Sequence, residues 1–330
     1  MEKKVSVIVT AFNRTQYILD ALKSIGIENE KRLEIELIVV KNFSNDSIDS
    51  YIKKLGGIII EGGSTPLCEY AYRGIKAASG KYIFFLEDDD LFFPGKIDTV
   101  TNLMEKLDLD FYHNNYAAIY PERRYINTEL YRGTKQPLLF DSKKVGKREI
   151  DKIIKIKGDI NLSSMVINRK ILNEKFSIME SMPAGPDWFL FLAALEFGQL
   201  LYFDCNVLTA YNIHDSAVHL TEMDFSALSE KRLRLSVNEI TSLSKMKGIF
   251  YNENAVKLIN SKIAMDRIQI KILTGKVTST EDINIISAAR NLRVDSLGAV
   301  LFLLYVLSIP FNGIARKAYL KIYQNITIGH

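Results

Sequence analysis

Four short runs rich in Val, Ile, Leu and Phe, at residues 5–10, 34–40, 57–61 and 81–86, each lead into a segment with helical patterning. That alternation predicts a parallel sheet covered by helices, because parallel neighbours need a crossover long enough to hold a helix. Thr15 is placed to cap a first helix reaching Ile25, and Ser64 or Thr65 ahead of Pro66 marks the start of a third, ending near Gly80. In an open parallel sheet, ligands gather beyond the carboxyl ends of the strands, so the loops after Val9, Val40, Glu61 and Leu86 hold the interest. No Gly-x-Gly-x-x-Gly follows the first run and no Gly-Lys-Ser/Thr loop occurs, which argues against dinucleotide enzymes and P-loop NTPases.

Beyond Asp110 the pattern loosens, to about Asp159, into polar, aromatic and basic stretches suited to strands and loops around a site. A helix is expected from Asp187 to Phe197, stopped by Gly198, then a strand-like stretch to Tyr211, with helix dominating from Thr221. The expected organisation is an α/β domain over residues 1–220 and a helical, basic extension over 221–330. Residues 1–220 hold 28 basic and 30 acidic side chains and the remainder 15 and 9, so the two parts carry −2 and +6. Such an excess suits an anionic surface such as phospholipid, or a solvated helix face; nucleic acid binding lacks a recognisable module.

Two cysteines without metal or pairing spacing, Cys68 and Cys205, read as free thiols in a reducing compartment. The run after the N-terminal Met-Glu-Lys-Lys is too short and β-branched for a signal-peptide core, so a cytoplasmic location is expected. The Asn-x-Ser/Thr triplets at Asn13, Asn42, Asn45, Asn161 and Asn325 then carry no weight as glycan acceptors.

Glu87-Asp88-Asp89-Asp90 follows the apolar fourth run directly. Hard divalent ions, Mg2+ or Mn2+, take carboxylate oxygens and complete their shells with water and substrate phosphates, so a pyrophosphate-bearing substrate is the natural partner. A solvated acidic turn before a helix near Pro94 is the plainer alternative.

The stretch from Gly74-Ile75 through Ala78-Ser79-Gly80-Lys81-Tyr82 to Leu86-Glu87-Asp88-Asp89-Asp90 resembles family-2 glycosyltransferases, in which an Ala-x-Gly-x-Tyr strand enters Leu-Asp-x-Asp-Asp. Val5-Ser6-Val7-Ile8-Val9-Thr10-Ala11-Phe12-Asn13-Arg14 is similar to the opening strand and nucleotide loop of that family. The resemblance covers about two-thirds of the chain. It implies a Rossmann-like nucleotide-diphospho-sugar transferase domain of the GT-A type with a helical C-terminal extension. It further implies a nucleoside-diphosphate sugar donor, a divalent cation, Mn2+ or Mg2+, and transfer with inversion to an acceptor hydroxyl, on a lipid-linked or cell-surface glycan precursor.

Carried across by position, Phe12 lies near the base ring, Thr10, Ala11, Asn13 and Arg14 shape the nucleotide-sugar pocket with Glu87 and Asp88, and Asp89 approaches the metal. Two departures stand out. Glu87 replaces the usual Asp, and Lys41-Asn42-Phe43-Ser44 stands where Asp-Asp-Gly-Ser is common, so that Asn42 offers a donor as well as an acceptor to a base edge. Lys41 then meets a phosphate or is solvated, and the base stays open between uracil, guanine and thymine.

Gly185-Pro186-Asp187-Trp188 resembles the acidic helix start that carries the catalytic base in that family, with a plain helix cap as the alternative for Asp187. Tyr211-Asn212-Ile213-His214 resembles its closing Tyr-Arg-x-His segment, making His214 a metal or diphosphate ligand, with Asn212 in place of Arg. The apolar run 297–311 is short for a membrane span, which needs about 20 residues. It suits either a segment at a bilayer interface or a buried or dimer-forming helix. Two further readings remain: a non-catalytic binding or scaffold relative, motivated by Lys41, Asn42 and Glu87, and a sugar nucleotidyltransferase, which would need a glycine-rich basic loop that residues 10–14 do not supply.

Overall fold

The first run forms β1 (Lys3–Ala11), paired in parallel with β2 (Leu33–Lys41) on one side and β4 (Tyr82–Glu87) on the other, while β3 (Ile58–Glu61) continues the parallel set beyond β2. These are the four strands the apolar runs predict. The computed structural model describes residues 3–27, 33–64, 67–120, 125–212, 225–275 and 296–328, and the chain divides into two compact units, Met1–Asn212 and Ile213–His330.

Past β4 the sheet changes character. β9 (Met165–Asn168) lies antiparallel between β4 and β6 (Phe111–Tyr120), and β10 (Leu200–Asn212) runs parallel to β6. The sheet order is β3-β2-β1-β4-β9-β6-β10-β5, with β5 (Leu91–Phe92) on the edge, β7 (Tyr125–Arg132) paired to β6 and β8 (Leu138–Asp141) to β10.

Helices α1 (Ile18–Ser24), α2 (Asp46–Lys54) and α4 (Lys96–Leu107) cover one face, where Val5, Val7 and Val9 meet Leu37, Val39, Phe84 and Leu86 in a continuous buried layer. The other face takes α3 (Cys68–Ala77), whose Gly74 sits where any side chain would strike Ile8. Burial on both faces is why the central strands are continuously apolar. Gly80, in the turn into β4, approaches the Ser6 backbone too closely for a Cβ, and its N–H donates to Ser6 Oγ at 2.9 Å.

Several expected boundaries move. Tyr17, not Thr15, precedes α1 and makes no side-chain cap; the left-handed turn at Asn13 (φ 53°) and the pull of Arg14 toward the acids take up the residues a longer helix would need. Helix α3 ends at Ala77 because Gly80 is committed to the strand turn; Ser64 lies ahead of the helix and Thr65 and Pro66 fall outside the described residues. Helix α4 opens at Lys96, after Gly95 in the left-handed region. Helix α5 (Lys147–Lys155) appears within the stretch expected as strands and loops, burying Ile150 and Ile153. Helix α6 (Pro186–Phe197) ends at Gly198 as expected and is buried on all sides from Phe189 to Leu195.

The second unit is helical, as its patterning implies: α7 (Phe225–Met246), α8 (Glu253–Thr274) and α9 (Ser296–Ile328), the last kinked at Phe311 after Pro310. Leu228, Ile268, Ile272, Leu301, Tyr305, Tyr319 and Leu320 form its core. Arg232 Nε donates to Gln269 Oε1 at 2.8 Å and Tyr319 Oη to the same oxygen at 2.9 Å, tying the three helices together.

Candidate active site

The acidic run leaves β4 at the carboxyl end of the parallel strands, beside the end of β1. Register pairs Thr10 with Glu87, and the Asp88 N–H donates to the Thr10 carbonyl at 3.1 Å. Asp88 and Asp90 are buried, while Glu87 and Asp89 are half-buried.

Arg14 answers this charge. Its Nε donates to Asp88 Oδ2 at 2.9 Å and its Nη2 to Asp88 Oδ1 at 2.5 Å, and Nη2 also lies 2.7 Å from Asp89 Oδ2. Burial opposes the guanidinium charge, but Asp88 and Asp89 more than offset it and hold the pKa of Arg14 above its ordinary value. Burial lifts the Asp88 carboxyl in turn, with Arg14 working against the rise.

Burial first, then repulsion from Asp90, Asp89 and Asp187, pushes the Glu87 carboxyl well above its usual range. The Asp187 charge thus acts on Glu87, although the two stand 100 positions apart in the chain. Burial and then Asp89 push Asp90 up to about 8, against hydrogen bonding from Ser163 and the Asn212 N–H, the latter at 3.0 Å from Oδ1. The acidic motif is thus more than a solvated turn: two of its four members are inside the protein.

Asp187 is not the cap of α6. Gly185, at φ 80°, occupies that position with Pro186 first in the helix, and Asp187 Oδ1 accepts from the Trp188 N–H at 2.8 Å in the first turn. Asp187 thus serves a first-turn N–H from inside the helix and not from the cap position.

At the other side of β1, Asn13 and Asn42 meet as a pair of amides: the Asn13 N–H donates to Asn42 Oδ1 at 2.9 Å and Asn42 Nδ2 to Asn13 Oδ1 at 2.8 Å. Ala11 is buried, and half-buried Phe12 stands edge-on to Tyr70, with ring centroids 5.9 Å apart. Lys41 is not solvated. It is 4% exposed, pairs with Asp49 at 2.8 Å, donates to the Phe43 carbonyl and lies over the Phe43 ring. A buried ammonium needs such partners, and Asp49 on α2 supplies the charge.

The start of the Tyr211-Asn212-Ile213-His214 segment also arrives here. Tyr211 is half-buried, and its hydroxyl is pushed well up by burial and then by Asp90, Glu87 and Asp89. Asn212 contributes its backbone N–H to Asp90, whereas His214 lies outside the described residues. Among the described residues no group of three or more His, Cys, Asp or Glu side chains stands close enough to hold a metal by itself.

Sequence reasoning missed three supports of the site. Ser163 Oγ accepts the Glu87 N–H at 3.0 Å, Lys96 Nζ donates to the Ser163 carbonyl at 2.6 Å and to Thr209 Oγ1 at 2.8 Å, and Tyr70 backs Phe12. The one local signal was Asn161, whose Oδ1 accepts the Ser163 N–H at 3.0 Å; that Asn-x-Ser triplet is a turn motif. Both cysteines are free, Cys68 buried and Cys205 half-buried. A cavity lined by Lys4, Tyr82, Glu105 and Lys170 opens at the opposite, amino ends of β1 and β4.

The α/β sheet with an acidic run at its strand ends has the GT-A type of fold. The family model for glycosyl transferase family 2 matches residues 6–176, more than half of the 330, and the chain belongs to that family. An uncharacterized glycosyltransferase of Rickettsia typhi (strain ATCC VR-144 / Wilmington) is 27% identical over 232 residues, 67% of each chain. The poly(ribitol-phosphate) beta-N-acetylglucosaminyltransferase TarP of Staphylococcus aureus (strain N315) is 28% identical over 122 residues, 35% of this chain and 37% of TarP. Against three further rickettsial glycosyltransferases the match spans about one fifth of the relative's length (21%, 21% and 19%). The crystal structure of S. aureus TarS 1-349 in complex with UDP-GlcNAc shares the fold, with a TM-score of 0.52 at 12% identity over 98% of this chain and 90% of that one.

Proposed function

We propose that this glycosyltransferase moves a sugar, with inversion, from a nucleoside-diphosphate sugar to an acceptor hydroxyl, on a lipid-linked or cell-surface glycan precursor. The observation that carries the reading is the Glu87–Asp90 cluster at the carboxyl ends of β1 and β4, bound by Arg14 from the loop after β1, with the Asp187 charge among those that raise the Glu87 carboxyl. A single displacement needs a carboxylate to take the acceptor proton on one side and a charge-neutralising group for the diphosphate on the other.

Asp187 is the proposed base. Its position in the first turn of α6, with Oδ1 accepting from the Trp188 N–H, keeps the carboxylate oriented. Phe12 offers a ring to the donor base and the Asn13–Asn42 amide pair offers its edge, since amides both donate and accept. Mg2+ or Mn2+ binds through one or two carboxylates plus substrate phosphate oxygens, so the donor set here, hard oxygens with Asp89 already presenting Oδ2 to a cationic group, fits that ion. Asp89 would hold it, with His214 as a further ligand, and when bound the ion would neutralise charge on the departing diphosphate. Arg14 holds Asp88 and Asp89 in register.

The first test is thermal denaturation of the protein with UDP, GDP and dTDP sugars, each with and without Mn2+. UDP-GlcNAc leads the panel because it is the ligand in the TarS complex and because TarP is named for N-acetylglucosaminyl transfer. Stabilisation that needs both one nucleotide and the ion supports the reading and names the base. No stabilisation under any condition would overturn the donor-site assignment and favour a scaffold role.

A further inference from the structure

We propose that the outer face of α9 is a docking surface for an anionic phospholipid bilayer, with the helix lying in the interface plane. The proposal goes beyond the transferase reading and holds whatever the donor proves to be. The inner face of α9 is committed: Leu301, Leu304, Tyr305, Ala315, Tyr319 and Leu320 are buried in the core shared with α7 and α8. On the opposite side, Leu303, Val306, Ile309, Phe311 and Ile314 are 67, 46, 65, 56 and 61% exposed. Single exposed apolar side chains are ordinary; five along one helix form a stripe that water disfavours.

Charge selects the occupant. From Ser296 to His330 the sequence contains no Asp or Glu, while Arg316, Lys317 and Lys321 follow the stripe. Lys317 and Lys321 are exposed, one and two turns beyond Ile314, where they would sit among lipid phosphates as the apolar residues enter the acyl boundary. Pairing of this helix with its own copy would bring cations together without an acid on either helix to meet them. The kink at Phe311 also removes the straight seam that a helix pair requires, and Asn312 Nδ2 fastens the bend by donating to the Ile272 carbonyl at 3.1 Å. No helix among the described residues is long and apolar enough to cross a membrane, which leaves in-plane binding as the way for this face to be covered by lipid.

The experiment is cosedimentation of the full chain with vesicles of phosphatidylcholine alone and of phosphatidylcholine mixed with phosphatidylglycerol. The expected result is binding to the mixed vesicles that weakens with salt. The triple variant Leu303→Ser, Ile309→Ser, Phe311→Ser should lower vesicle affinity by about tenfold or more. Lys317→Ser with Lys321→Ser should lower it by about fivefold for each cation removed, on mixed vesicles only. All five positions are exposed, so the melting temperature should hold in both variants. Should the triple variant fail to fold, Ile309→Ser alone and the lysine pair carry the same test. Absence of binding by the unaltered chain, or binding unchanged by these substitutions, overturns the proposal. So does a dimer in light scattering that the triple variant dissolves while vesicle binding is untouched, which would give the face to a second copy of the chain.

Discussion

Arg14 closes on both carboxylate oxygens of Asp88, at 2.9 and 2.5 Å, across 74 residues of sequence, and its Nη2 reaches Asp89 as well. The pair sets the loop after β1 against the loop after β4, the two loops proposed to share the donor. Asp88 is 3% exposed, so removing its partner leaves a buried carboxylate uncompensated. We expect Arg14→Gln to destabilise the protein by roughly 2 kcal/mol, discounted from a fully buried pair because the arginine is partly solvated. We also expect Mn2+ to raise the melting temperature more in the variant than in the unaltered chain, since an added cation would relieve the acids that Arg14 no longer neutralises. Melts with and without Mn2+ check both, and an equal Mn2+ increment in the two proteins would refute the competition between guanidinium and ion.

Lys96 supports the same loop from below. It is 1% exposed, lies 4.0 Å from the Phe92 ring centroid, and bridges the Ser163 carbonyl to Thr209 Oγ1. Burial draws its pKa well below the ordinary lysine value, with Asp90 opposing the fall. The neighbours keep other partners, since Thr209 Oγ1 donates to the Ser163 carbonyl at 3.2 Å and accepts from Asn114 at 2.9 Å. We therefore expect Lys96→Met to cost only about 1–3 kcal/mol. Lys96→Arg should cost more, because a larger, permanently charged fork must enter a filled site. Urea denaturation of the two variants decides it; arginine as the better-tolerated substitution would show that charge rather than space governs the position.

What the sequence made legible follows from periodicity. The four parallel strands and α6 were visible because burial on both faces leaves unbroken apolar runs, and Gly198 stops α6 where expected. Beyond β4, β10 was legible as the strand-like stretch ending at Tyr211, but the antiparallel insertion of β9 was not. Strand β9 is four residues long, and Ser163 gains its role only because β9 lies between β4 and β6, a long-range pairing without a local signature. The acidic motif could be read directly, whereas the rise of its carboxyls could not: burial is the largest cause that lifts Glu87 and Asp90. Lys41 misled for the same reason, since its partner Asp49 comes from the next helix turn of the fold rather than from a ligand.

Glu36 gives the acid limb of the stability curve. Its carboxylate accepts from Ser6 Oγ at 2.5 Å, the Ser79 N–H at 2.7 Å and Ser79 Oγ at 2.6 Å, and lies 3.4 Å from Lys4 Nζ. Burial would raise its pKa, but these bonds bring it down to about 2 from the ordinary 4.5. A depressed carboxyl adds stability above its unfolded value that is lost as pH falls through the folded one. Glu36→Gln should thus be less stable than the unaltered chain at pH 7, by roughly 1–2 kcal/mol allowing for partial exposure. The gap should shrink between about pH 4.5 and pH 2. Denaturation midpoints across that range check the sign, and a gap that widens on acidification would contradict it.

The decisive substitution for the chemistry is Asp187→Asn. The change is isosteric, and the amide oxygen can still accept from the Trp188 N–H, so α6 should start as before. What is lost is the group that takes a proton, and one negative charge facing Glu87 and Cys68. Removing a general base costs about 10²- to 10⁴-fold in turnover. Donor affinity should hold or improve, because a repulsive charge leaves the neighbourhood of the diphosphate site. The expected outcome is therefore a divided one: kcat falls by that factor while the donor Kd, read by thermal shift or calorimetry, does not rise. Weakened donor binding with little change in kcat would move Asp187 from the acceptor side to the donor side, and the proton would then have to go to another residue of the site.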